Sequence, residues 1–108
     1  MSPDEFRRLA LDLPNVREEQ HQSHPDFRVG KRVYASLGWP DTESAMVKLA
    51  PEEQAVRVEA EPTTFRPAPG AWGRQGSTIV TLAAASESSV RSALLAAWRR
   101  AAPKRRPR

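Results

Sequence analysis

Cysteine is absent from the 108 residues, which removes disulfides, thiolate metal sites and a cysteine nucleophile together. Aromatic side chains are few: three tryptophans, three phenylalanines and one tyrosine. They suffice to anchor the single small core that a chain of this length can build. No stretch approaches the roughly 20 apolar residues a membrane span requires. The first residues, Met1 to Pro14, are charged throughout and lack the apolar run of a secretory signal. A soluble cytoplasmic protein without membrane contact is therefore expected. Signatures of common chemistry are missing too: there is no GxSxG elbow, no P-loop and no Rossmann glycine pattern. Neither enzymatic activity nor a cofactor is expected.

The formal net charge of +4 suggests nucleic acid until it is localised. Lys104, Arg105, Arg106 and Arg108 all fall in the last six residues, and the other 13 of the 17 basic residues match the 13 acidic ones. The expected folded body, residues 1–102, is formally neutral. Its electropositive surface must come from the arrangement of charges. Residues 103–108 read as a disordered basic tail.

Along the chain, Ser2-Pro3-Asp4-Glu5 has the pattern of a capping box with proline at the first helical position. Phe6, Leu9, Ala10 and Leu13 then follow at helical spacing, and Pro14 ends the run. Residues 15–23 are polar and fit a short turn or the start of a strand. Ser44 to Leu49 alternates, with Ala45, Val47 and Leu49 inward and Met46 and Lys48 outward. Pro51-Glu52-Glu53 opens a second, short helix with an acidic first turn, closed by Pro62. Phe65 to Gly76 holds two prolines and three glycines and reads as an irregular connection, a kind often functional or mobile. Thr78 to Ala83 reads as a strand. Ser86 caps a last helix whose apolar stripe is Val90, Leu94, Ala97, Trp98 and Ala101.

The organising stretch is His24 to Leu37, a hairpin around Gly30. A two-residue turn at Gly30-Lys31 places Phe27, Val29, Arg32 and Tyr34 on one face. A three-residue turn adding Arg32 instead aligns Phe27 and Val29 with Val33, Ala35 and Leu37. The second is preferred because it alone gives one continuous apolar face. It leaves Arg28 and Tyr34 outside. The whole order implies an α+β fold, with an antiparallel sheet of about four strands and helices packed on one face.

Three constellations bear on chemistry. Glu18, His21 and His24 recur at helical spacing, but Pro25 forces His24 out of a helix and no fourth ligand is present, so no metal is expected. Trp72, flanked by Gly70 and Gly73 with Arg66 and Arg74 nearby, has the residue types that stack bases and clamp phosphates. Trp72 itself is expected to fold back over the core edge, leaving the arginines as surface candidates. On the open sheet face Arg28, Tyr34 and Lys48 project together, with Lys31 and Arg32 at the hairpin tip. Basic residues around an aromatic suit phosphate contact, but from the residues alone a plain solvated face is the leading reading.

The chain resembles the MmcQ/YjbR-like family. The matching pieces are Leu13-Pro14 and Glu18 after the first helix, then His24-Pro25-Asp26-Phe27-Arg28-Val29-Gly30. Lys48-Leu49 with Pro51-Glu52 follows, and then Phe65 through Gly70-Ala71-Trp72-Gly73. The resemblance runs over residues 3 to 101. It implies a compact frataxin-like α+β sandwich with a double-wing arrangement, and a DNA-binding role inferred largely from that shape; it implies no catalytic residues. The expectation is weak binding of double-stranded DNA through Arg28, Lys31, Arg32, Tyr34, Lys48, Arg66 and Arg74, with Lys104, Arg105 and Arg106 of the tail adding attraction. The alternative is a protein- or small-ligand-binding module using the 65–76 segment and the sheet face.

Overall fold

The computed structural model describes residues 1–21 and 24–103. Six antiparallel strands form one sheet: β1 (Val16–His21), β2 (His24–Val29), β3 (Arg32–Leu37), β4 (Ser44–Lys48), β5 (Phe65–Pro67) and β6 (Ser77–Thr81), in the order β1-β2-β3-β4-β6-β5. The helices are α1 (Pro3–Leu11), α2 (Pro51–Ala60), α3 (Gly70–Arg74) and α4 (Glu87–Ala101). The α+β class is as expected, but the sheet has six strands rather than about four. The two additions are the edge strands, and neither carries an apolar alternation. In β1 three of the six residues of VREEQH are charged, and β5 is three residues long and ends in proline. Charge and proline are tolerated at an edge because one side of the strand needs no ladder partner; they also discourage pairing with another chain.

The helix starts form as their sequences dictate. Ser2 Oγ accepts from the Glu5 amide at 3.1 Å, and the Glu5 carboxylate accepts from the Ser2 amide at 3.2 Å. Those bonds to Ser2 hold the Glu5 carboxyl below its ordinary range. Ser86 Oγ caps α4 by accepting from the Ser89 amide. Phe6, Leu9 and Ala10 of α1 and Val90, Ala93, Leu94 and Ala97 of α4 are buried in one core with Phe27, Val29, Ala35, Leu37, Ala45, Val47 and Val80. Trp98 only half-follows the expected stripe: it packs on the core rim, partly buried, and its indole donates to the Pro14 carbonyl at 2.9 Å. No helix among the described residues is long and apolar enough to cross a membrane.

The hairpin departs from its expected register. Val29 pairs with Arg32, so the turn is the two-residue Gly30-Lys31, with Gly30 at φ +60°. Further along, Arg28 pairs with Val33 while Phe27 pairs with Ala35, which leaves Tyr34 as the extra residue of a β-bulge. The bulge changes the parity of β3 partway along. Ala35 and Leu37 therefore reach the core as expected. Tyr34 does too, fully buried, and Val33 turns to the open face instead.

The 65–76 segment is more regular than its composition implies. It contains β5 and the short α3. The glycines permit this by close packing: a Cβ on Gly73 would lie 1.8 Å from the Ala68 carbonyl oxygen.

Candidate nucleic-acid interface

Positive charge gathers at one end of the molecule. Lys31 and Arg32 at the hairpin tip are exposed, and so are Arg99 and Arg100 in the last turn of α4. A basic last turn suits the negative end of the helix dipole. Arg32, Lys48 and Arg100 line a cleft of about 230 Å³ with Val33, Ala97 and Ala101. None of Lys31, Arg32, Lys48, Arg99 or Arg100 forms an ion pair with another described residue.

The end of the body lies against the same tip. A Cβ on Gly30 would stand 3.0 Å from Pro103 Cγ, so the proline ring sits on the turn glycine. Lys104, Arg105 and Arg106 follow Pro103 in sequence and lie outside the described residues. Arg17 reinforces the turn by donating to the Gly30 carbonyl at 2.6 Å, and it is itself neutralised by Glu19 at 3.0 Å.

The open face of the sheet carries a second depression, of about 430 Å³. Its floor includes Val33, Ser36 and Met46, and Trp39 and Trp72 wall one side. Their rings meet edge to face, centroids 6.1 Å apart at 73°. Trp72 is 62% exposed, contrary to the expectation that it covers the core edge, because Gly73 takes the buried position of α3. Arg28 lies in this groove between two carboxylates, Asp26 at 3.5 Å and Glu19 at 3.6 Å. Its Nε is shielded from solvent and has no hydrogen-bond partner.

The candidate residues thus separate into groups. Arg32 and Lys48 come together at the cleft, Lys31 stands next to Arg32 at the hairpin tip, and none of the three is ion-paired with another described residue. Arg28 is on the open face as expected, but its charge is already balanced. Tyr34 is removed from any interface by burial on the helix side. Arg66 is exposed on β5 at the far edge of the sheet, where it donates to Thr81 Oγ1 at 3.2 Å, and Arg74 is exposed on α3. Reading the sequence missed Arg99, Arg100 and Trp39; the basic last turn of α4 was the available signal for the first two. Helical spacing cannot apply to Glu18, His21 and His24, since they lie in β1 and β2, and Glu18 is ion-paired with Arg7 at 2.6 Å.

The YjbR family model matches residues 11–100. No curated protein matches the chain. Among solved structures, the crystal structure of Deinococcus radiodurans protein DR2400, a DUF419 domain, is similar in fold. It superposes with a TM-score of 0.74 at 20% identity, over 90% of this chain and 75% of that one. The family match spans everything from the end of α1 to the last turn of α4, and the chain belongs to the YjbR family.

Proposed function

We propose that this protein binds the phosphate backbone of DNA through the basic end formed by the hairpin tip and the end of α4. The observation that carries the reading is the meeting of Arg32, Lys48 and Arg100 around one cleft, beside the hairpin turn on whose Gly30 sits Pro103, the residue from which the basic tail continues. Three unpaired cations around one cleft, with exposed Lys31 next to Arg32 at the hairpin tip, match a row of phosphates, and attraction of this kind is independent of sequence. A formally neutral body is no obstacle, because none of the ion-paired acidic residues sits on these cations: Glu18 pairs with Arg7, Glu19 with Arg17, Glu53 with Arg57, and Glu87 with Arg8. The role is binding rather than catalysis, and its setting is the cytoplasm.

The test is the anisotropy of a labelled DNA duplex titrated with protein over a range of salt. Replacing Arg32 and Arg100 by glutamine together should flatten the slope of log affinity against log salt by about 1.8, at ~0.9 per phosphate neutralised. An unchanged slope would remove both residues from the interface.

A further inference from the structure

We propose that the groove on the open face of the sheet holds unpaired, single-stranded nucleic acid, with a base stacked on Trp72. The proposal rests on the nucleic-acid reading above and names the form of nucleic acid that this second surface takes.

Trp72 is the observation to explain. A tryptophan 62% exposed is costly to leave in water, and here the local backbone enforces it: Gly73 is wedged under Ala68, which turns its neighbour outward. Its aromatic partner, Trp39, meets it edge to face. In that geometry Trp39 cannot cover both faces of Trp72, and the exposure of Trp72 leaves it a π-surface open to solvent. Below them the groove has the volume of an ordinary ligand site, with Val33 and Met46 on its floor.

The polar groups fit a nucleotide chain better than a purely apolar partner. Asp26 and Ser36 offer hydrogen-bonding atoms along the groove, as base edges require. Lys48 lines this groove and also the cleft that holds Arg32 and Arg100. The basic cleft and the aromatic groove therefore adjoin at Lys48 and Val33. A duplex keeps its bases stacked on one another and cannot offer a base face to Trp72, whereas an unpaired strand can.

Tryptophan emission and anisotropy of the full chain, titrated with a short oligothymidylate and with a DNA duplex, test this. The single strand should quench the emission. Trp72→Ala should weaken single-strand binding roughly five- to a hundredfold and leave duplex affinity unchanged, and Trp72→Phe should restore most of the loss. The side chain is exposed, so the variants should melt with the wild type. If Trp72→Ala leaves single-strand affinity intact, or weakens both forms equally, the proposal is overturned. Equally tight quenching by free thymidine monophosphate would also overturn it, as a mononucleotide site. Loss of single-strand affinity in Trp72→Ala, with duplex binding indifferent to Arg32→Gln and Arg100→Gln, would support the groove and sink only the basic-end reading.

Discussion

The Tyr34 hydroxyl donates to the carbonyl of Ala10 at 2.5 Å, inside the core. The partner this carbonyl would have in a continuing helix is the amide of residue 14, and residue 14 is proline. Tyr34 supplies the missing donor, and the bulge in β3 is what turns it inward. Four residues beyond Ala10, the Pro14 carbonyl is taken by the Trp98 indole. The end of α1 is thus tied to both the sheet and α4.

Tyr34→Phe should cost about 1–3 kcal/mol, because it leaves a buried carbonyl without a partner. Urea denaturation measures the loss. DNA affinity of the folded variant should equal that of the wild type; a drop in affinity with no loss of stability would make Tyr34 a contact residue after all.

Burial also pushes the Tyr34 phenol above its ordinary value near 10. The neutral phenol is favoured in the folded state, so folded protein holds a proton that unfolded chain releases once the pH passes about 10. Stability from this group is complete below that pH and declines above it. The difference in unfolding free energy between wild type and Tyr34→Phe should therefore shrink from pH 9 to pH 11. A constant difference would place the phenol in contact with water.

Two substitutions on α4 separate rim from core. Leu94→Ala removes a side chain that is fully buried and should cost about 2–5 kcal/mol. Trp98→Phe keeps most of the packing and loses the bond to Pro14, which should cost about 1 kcal/mol. If thermal melts gave the reverse order, Trp98 would be the core anchor and the half-buried geometry would be wrong.

The caps, the hairpin position, β4 and the α4 stripe were legible in the sequence because each is decided by neighbours a few residues away. Capping boxes, alternation and helical spacing are local patterns. The edge strands were not legible, since β1 gains its place by pairing with β2 and carries no apolar pattern of its own. Tyr34 was misplaced for a related reason: alternation assumes constant parity, and a single bulged residue reverses it. Trp72 was expected to fold over the core edge because its flanking glycines allow a tight approach, but it is Gly73 itself that takes the tight position against Ala68, and that contact is between backbones. At the interface Lys31, Arg32 and Lys48 could be named from the hairpin and β4. Arg100 belongs with them only through the packing of α4 across the sheet.

The most direct test of the central claim is the salt dependence of duplex binding by the chain truncated after Pro103. This keeps the contact of Pro103 with Gly30 and removes the tail's cations. If the basic end of the body binds phosphates through Lys31, Arg32, Lys48 and Arg100, log affinity should still fall with log salt, with a slope of up to about −3.6 at ~0.9 per contact. Replacing those four residues by glutamine should abolish the remaining affinity without changing the melting temperature. Truncated protein that folds and yet shows no measurable duplex affinity at low salt would contradict the claim and leave the tail as a generic polycation.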